Sequence, residues 1–173
     1  MSQDDDAFCR EAVSCLDGLY AFAMSLARDA PAAEDLVQET YVRAFAARHK
    51  ASVDESLKSW LFTILHNVWR NQLRRPRPSP LEDAPAVCLR VEEEDSLERL
   101  CREEEAERVR RAVAELPESF REVVTLRCSM GFSYRDLATI LGCPAGTVMS
   151  RLSRARALLR RNLAASHERH GAA

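Results

Sequence analysis

Apolar residues recur at intervals of three and four along most of this chain, which is the spacing of amphipathic helices. In the first part of the sequence the pattern predicts one helix over about residues 7–28, a second from about Pro31 and a third over about residues 56–74. Three such helices in about 75 residues can share one core. No long stretch alternates apolar with polar residues, so we predict an all-α fold.

A stretch that cannot be helical divides the predicted helices into two blocks. Pro76, Pro78 and Pro80 fall within five residues, and an acidic run follows at 92–95. We interpret this stretch as an extended, Pro-rich and acidic linker. The predicted organisation is a helical domain at 1–75, the linker at 76–96, a second helical domain at 97–165 and a tail at 166–173.

The second block begins with two predicted helices, one starting near Ser96 and the next at Pro117. The periodicity of the first of these helices predicts which of its side chains point inward. They are Leu100, Val109, Ala112, Val113 and Leu116.

Two short helices joined by a tight turn are predicted to complete the second block. Ser133 and Asp136 have the spacing of a capping box at the start of the first helix. Gly142 stands where a helix end favours a positive φ, and Pro144 suits the first position of the following helix. This pattern is typical of a helix-turn-helix, although an ordinary hairpin of two helices with a solvated basic face shares it.

The last predicted helix has the composition of a helix that reads DNA. Val148, Leu152 and Ala155 form an apolar stripe that would pack inward. The opposite side carries small polar residues with arginines around them, which suits the major groove of a duplex. The candidate DNA contacts are Thr147, Met149, Ser150, Arg151, Ser153, Arg154 and Arg156.

Charge is distributed unevenly along the chain. The formal net charge is only −2, yet residues 108–173 hold 12 basic and 5 acidic side chains. The second domain alone therefore has the positive balance that favours binding to nucleic acid.

The sequence shows no motif for catalysis, a cofactor or a metal. It contains no Gly-rich phosphate loop and no nucleophile motif, and its 6 cysteines include no Cys-x-x-Cys pair. The acidic N-terminus is unlike a secretory signal, and no apolar run reaches the roughly 18 residues of a membrane span. We therefore expect a cytoplasmic protein with reduced thiols, no metal, no cofactor and no enzymatic activity.

The third predicted helix allows two interpretations. Trp60, Phe62 and Trp69 share this helix with basic and amide side chains, a combination that suits unstacked bases and phosphates. The basic and amide residues are Lys58, Arg70, Asn71, Arg74 and Arg75. Alternatively, Trp60 belongs to the core and the basic end only complements the helix dipole.

Four stretches, in this order along the chain, resemble bacterial RNA polymerase sigma factors of the extracytoplasmic-function class. Residues 33–40 resemble the polymerase-binding helix of sigma region 2, and residues 59–75 resemble the part of region 2 that melts the −10 element. Residues 116–123 and 131–156 resemble region 4, which reads the −35 element.

The resemblance implies roles for individual residues. Asp35, Gln38 and Glu39 would face core RNA polymerase. Trp60, Thr63, Asn67, Arg70, Asn71 and Arg74 would contact the −10 element, as duplex and as single strand, and the DNA contacts of the last helix would read the −35 element. The resemblance also implies a sigma factor that an anti-sigma factor controls.

Two positions depart from the family pattern. Met149 stands where members often have Lys or Arg, and Ala51 stands where an aromatic residue often precedes the loop that reads the −10 base. The alternative to a sigma factor is a self-sufficient helix-turn-helix regulator whose first domain is a sensor or a dimerisation module.

Overall fold

The computed structural model of the chain describes residues 3–50, 56–74 and 96–170, with side chains described over 5–49, 56–74 and 105–164. The described parts fold into helices, which we number in chain order. They are α1 (Gln3–Ser14), α2 (Leu16–Ala27), α3 (Ala30–Ala47), α4 (Leu57–Leu73), α5 (Ser96–Ala114), α6 (Glu118–Val124), α7 (Tyr134–Leu141) and α8 (Ala145–His170). The all-α fold is therefore confirmed. None of the helices over these ranges is long and apolar enough to cross a membrane.

Helices α1–α4 form the N-terminal bundle. Its core contains the fully buried side chains of Leu19, Phe22, Leu36, Leu61 and Leu65. Burying each of them stabilises the bundle by about 1.5–3 kcal/mol relative to leaving it exposed.

Side-chain caps define where two of these helices begin. The Asp29 side chain accepts a hydrogen bond from the Ala32 backbone N–H at 2.9 Å, and the Ser56 side chain accepts one from Ser59 at 3.2 Å. Each cap satisfies a backbone donor that has no partner within its helix. The helices predicted from Pro31 and over 56–74 are thereby confirmed, with starts at Ala30 and Leu57.

The single helix predicted over 7–28 is wrong. The chain forms α1 and α2 instead, and they are separated at Cys15. At the break the Cys15 N–H donates to the Ala12 carbonyl at 3.1 Å, and Leu16, the first residue of α2, is 43% exposed. Both helices pack against α4, and the three- and four-residue spacing of apolar residues therefore continues across the break.

Helices α5–α8 form the C-terminal bundle, in which the predicted helix-turn-helix is confirmed. The Ser133 hydroxyl accepts from the Asp136 N–H, and the Asp136 carboxylate accepts from the Ser133 N–H at 3.0 Å, which is a complete capping box. Gly142 closes α7 with φ +58°. The stripe of α8 is buried as predicted, with Val148 fully inaccessible.

One residue of α5 contradicts the sequence prediction. Val109 is 43% exposed, although Ala112 on the same helix and Leu116 just beyond its end are buried. Val109 lines a cavity of about 650 Å³ between α2 and α5, together with Met24, so its side chain remains accessible to solvent. The side chain of Leu100 lies outside the described residues, as do Ala51 and the linker as far as residue 95.

A π-helical segment, Thr125–Ser129, follows α6 and leads into a turn at Gly131, where φ is +74°. The Met130 N–H donates to the Thr125 carbonyl at 3.3 Å, and the Phe132 N–H donates to Leu126 at 3.2 Å. These wide turns direct the Phe132 ring out of its own bundle and against α4.

The two bundles pack against each other. The rings of Phe62 and Phe132 meet edge to face, with centroids 4.9 Å apart, and buried side chains form one continuous cluster across both bundles. The sequence predicted two domains and a linker, but it did not predict this docking.

Candidate nucleic-acid and polymerase-binding surfaces

The outer side of α8 presents the candidate DNA contacts of the second domain to solvent. Met149 is 53% exposed. Ser150, Ser153, Arg154 and Arg156 are also exposed, and only Thr147 and Arg151 are partly buried. The Ser150 hydroxyl donates to the Thr147 carbonyl at 2.9 Å and keeps its lone pairs available to another donor.

The arginines of this surface are not engaged elsewhere. Within the described side chains, Arg154 and Arg156 make no hydrogen bond or ion pair with the protein. Their guanidinium groups can therefore contact phosphate or guanine without first breaking an internal bond. The acidic residues closest in sequence are Asp136 and Glu168, so α8 carries no negatively charged side chain from its start to residue 167.

The candidate −10 contacts occupy one stripe of α4. They are Trp60, Thr63, Asn67, Arg70, Asn71 and Arg74, which repeat at intervals of three and four. Arg70, Asn67 and Asn71 are exposed. Thr63 is partly buried, and its hydroxyl donates to the Ser59 carbonyl at 2.9 Å.

All of these residues except Trp60 line one cleft of about 360 Å³. The opposite wall of the cleft is the end of α7, from Thr139 to Gly142. Trp60 lies farther along the stripe, half-buried, with its ring 6.4 Å from that of Phe8. The structure thus brings the amide and guanidinium groups together and leaves the indole apart from them.

The aromatic residues of α4 do not form a stacking surface for bases. Phe62 is fully buried and Trp69 is 4% exposed. Their positions coincide with the buried stripe of Leu65 and Val68, so they belong to the core. The interpretation of Phe62 and Trp69 as base-stacking residues is therefore wrong.

The candidate polymerase contacts lie on the solvent side of α3. Asp35 and Gln38 are exposed, and Glu39 is half-buried and accepts a hydrogen bond from the Arg43 Nε at 2.6 Å. Water screens this ion pair, so Arg43 binds the Glu39 carboxylate only weakly.

Sequence reasoning missed Val42, which lies on the same side of α3. Its side chain is 65% exposed, between the turns that carry Gln38 and Phe45. Protein interfaces commonly have an apolar core with a polar rim, and Val42 with its polar neighbours has this arrangement. The signal in the sequence is that Val42 falls outside the buried stripe of Leu36, Thr40 and Ala44.

No cluster of metal-ligating side chains exists among the residues that the structure describes. The cysteines described in full, Cys9, Cys15, Cys128 and Cys143, are free thiols. Burial raises the pKa of the Cys15 thiol, and this disfavours the reactive thiolate.

The sequence matches two families of known proteins. Residues 13–78 match Sigma-70 region 2, and residues 106–159 match Sigma-70, region 4. The chain is also 38% identical to the ECF RNA polymerase sigma factor EcfG of Rhodopseudomonas palustris over 157 residues, which cover 89% of this chain and 83% of that protein.

Two solved structures share the arrangement of the helices. The sigma factor RpoE from Bartonella quintana, in a co-crystal with the anti-sigma factor NepR, superposes with a TM-score of 0.73 at 34% identity, over 91% of this chain and 96% of that one. CnrH, in complex with the cytosolic domain of CnrY, gives a TM-score of 0.65 at 28% identity, over 93% of this chain and 90% of that one.

Proposed function

The chain belongs to the extracytoplasmic-function sigma factors of bacterial RNA polymerase, which direct promoter-specific initiation, and on that premise we propose which of its surfaces perform each step. The proposed domains are residues 1–75, for polymerase binding and the −10 element, and residues 97–165, for the −35 element. The linker at 76–96 joins them, and residues 166–173 form a tail. The chain acts without enzymatic activity of its own.

The proposed polymerase contact is the solvent side of α3. Asp35, Gln38 and Glu39 supply acidic and amide groups, and Val42 supplies the apolar centre. A surface of this composition fits a partner with complementary basic groups around an apolar depression. The exposure of Asp35, Gln38 and Val42 and the solvent access of the Glu39 carboxylate support the assignment.

The proposed −10 contacts are the α4 stripe. Asn67 presents two donors and an acceptor, as recognition of a base edge requires, and Arg70 and Arg74 supply positive charge for the phosphates. A base turned out of the helical stack costs a few kcal/mol in lost stacking, which hydrogen bonds in a shaped cleft offset. The convergence of these groups on one cleft is the observation that carries this assignment.

The proposed −35 contacts are the exposed side chains of α8. Small residues at its centre let the helix approach the bases, and the arginines at its rim bind phosphate or guanine.

We further propose that an anti-sigma factor controls this chain, as the similarity to a sigma factor solved with NepR and to CnrH solved with CnrY suggests.

Two sets of substitutions test the division of labour between α3 and α4. Asp35→Arg combined with Glu39→Arg places positive charge on the polymerase contact and should abolish co-purification with core RNA polymerase. Asn67→Ala should leave that assembly intact but impair strand opening, which permanganate footprinting of a responsive promoter detects.

Glu34→Arg is the matched control for the charge reversals, since Glu34 is an exposed carboxylate on α3 outside the proposed contact. Normal co-purification of the double reversal would refute the α3 assignment. Unchanged permanganate reactivity with Asn67→Ala would remove Asn67 from the −10 site.

A further inference from the structure

The cavity of about 650 Å³ between α2 and α5 is lined by described residues that include none of the proposed DNA or polymerase contacts. We propose that it binds a small amphipathic carboxylate, whose apolar chain occupies the floor of the cavity and whose carboxylate meets arginines at its wall and edge. The volume falls within the roughly 300–1,000 Å³ that is usual for small-molecule sites. The proposed site is separate from promoter recognition and does not depend on it.

The floor of the cavity is apolar, and four helices contribute to it. Met24 of α2 and Val124 of α6 are 8% and 6% exposed, while Val113 of α5 and Leu159 of α8 are partly buried. The exposed Val109 continues this apolar surface toward solvent. Water makes few hydrogen bonds against such a lining, so an apolar chain that displaces the water gains affinity.

Arg121 places a buried positive charge in the wall of the cavity. It is 8% exposed, and its Nε donates to the Ser25 carbonyl at 2.6 Å. Its Nη1 donates to the carbonyls of Ala114 and Leu116 at 3.2 and 2.8 Å. Within the described part of the chain, Nη2 makes no hydrogen bond and the guanidinium has no ion pair. Because buried charges usually have a bonded counter-ion, this group favours an anionic ligand, to which Nη2 can donate.

Arg28 brings a second guanidinium to the same cavity. It ends α2 with a φ of +57°, a left-handed conformation that residues with a Cβ atom disfavour. Burial first, and then the neighbouring charge of Arg28, lower the pKa of Arg121, and Glu118 and Glu122 offset part of this effect. The two guanidinium groups are therefore close enough to repel each other, and a bound anion reduces that repulsion.

The other charged residues that line the cavity are Arg110 and Glu105. Arg110 is engaged by Glu107, whose carboxylate lies 2.8 Å from the Arg110 Nη2, and Glu105 is exposed. Three arginines and one glutamate thus surround an apolar floor, which favours an anion over a cation or a neutral ligand. We assign the anion as a carboxylate because its two oxygens match the donors of a guanidinium.

The test is a calorimetric titration of the purified full-length chain with decanoate, kept below the concentration at which it forms micelles. We expect saturable binding of one decanoate per chain. The neutral analogue 1-decanol keeps the apolar chain and lacks the charge, so it should bind at least about tenfold more weakly. Neither polymerase nor DNA takes part, so failure of this proposal would leave the proposed function unaffected.

Two variants weaken the proposed site in different ways. Arg28→Gly deletes an exposed guanidinium and suits the positive φ, so the chain should stay folded and bind decanoate at least about fivefold more weakly. Val109→Trp places a large side chain at the exposed edge of the cavity and should abolish binding. Arg111→Ala removes an exposed arginine of α5 that does not line the cavity, so this matched control should bind like the wild type. Circular dichroism checks that all three variants keep their helices.

Absence of saturable decanoate binding would overturn the proposal. Equal affinity for 1-decanol would also overturn it, because the arginines would then play no part. Variants at Arg28 and Val109 that bind decanoate like the wild type would place the binding outside this cavity. Binding to vesicles of phosphatidylglycerol without binding of free decanoate would assign the surface to a membrane and would contradict a small-molecule site.

Discussion

Arg154 and Arg156 should contribute differently to promoter binding, although they lie two residues apart on α8. Arg154 follows Ser150 by four residues, so the two side chains lie one turn apart on the outward side. Arg156 follows the buried Leu152 by four residues and therefore lies beside the packed stripe. We therefore expect Arg154 to meet base edges and Arg156 to meet the phosphate backbone.

The expected magnitudes follow from these positions. Both arginines are exposed and make no internal bond in the described structure, so replacement by Ala should change the free energy of unfolding by less than about 0.5 kcal/mol. A bidentate contact to guanine discriminates by roughly 1–3 kcal/mol, which is about 5- to 150-fold in relative affinity. Loss of one phosphate contact leaves relative affinities unchanged and reduces the slope of log affinity against log salt by about 0.9.

The assay is competition binding of the holoenzyme to a set of single-base variants of the −35 element, repeated across a salt series. Arg154→Ala should flatten the preference at one base position, whereas Arg156→Ala should weaken all variants alike. Arg160→Ala, on an exposed turn farther along α8, is the control. If both substitutions weaken every variant equally, Arg154 is a phosphate anchor and the reasoning from its position on the helix is refuted.

Three further substitutions test the fold and the polymerase contact. Gly142→Ala should lower the free energy of unfolding, measured by urea titration, by about 1 kcal/mol, because a Cβ atom disfavours the φ of +58° at this position although the space around it is open. The control is Gly146→Ala, which also places a Cβ in open space but at a position without a positive φ, and it should not lower the free energy of unfolding. Burial raises the pKa of Tyr41 to about 12, so its ionisation should appear at that pH in the difference between the phenolate absorbance of wild type and Tyr41→Phe. Because the ordinary pKa of Tyr is near 10, the stability that the neutral phenol contributes should be complete below pH 10 and lost as the pH rises toward 12. If the free energy of unfolding has the same pH dependence in wild type and Tyr41→Phe over that range, the shift is contradicted. Val42→Asp should weaken core polymerase binding at least tenfold without unfolding α3, and unchanged binding in a pull-down titration would exclude Val42 from the contact.

The sequence predicts the C-terminal bundle well because its signals are local. The capping box of Ser133 and Asp136, the αL glycine at 142 and the stripe of α8 each depend on residues within a few positions of one another. In this bundle the tertiary packing agrees with the local preferences, so predictions made from those preferences hold in the folded chain.

The features that the sequence does not predict depend on distant contacts. The break at Cys15 keeps the apolar spacing of a continuous helix, so periodicity alone cannot reveal it. Val109 is exposed because it lines a cavity between α2 and α5, whose walls are distant in the sequence. The burial of Trp69 depends on the docked bundle that supplies Glu118, more than 40 residues away in the chain.

The candidate DNA surfaces also have one part that local sequence predicts and one part that depends on distant contacts. The side of α8 that is free to meet DNA follows from helical period, but the cleft beneath Asn67 has a wall from the other bundle. A pattern in one helix identifies which side chains share a side of it, and only the assembled structure identifies what that side meets.

Initiation from genomic DNA tests the central claim most directly. Purified core RNA polymerase is incubated with fragments of the source genome, with and without this chain, and the 5′ ends of the transcripts are sequenced. We expect new start sites that share one −35 and one −10 sequence and that disappear with Asp35→Arg/Glu39→Arg. A folded chain that adds no start sites to those of core polymerase alone would contradict its assignment as a promoter-specificity factor.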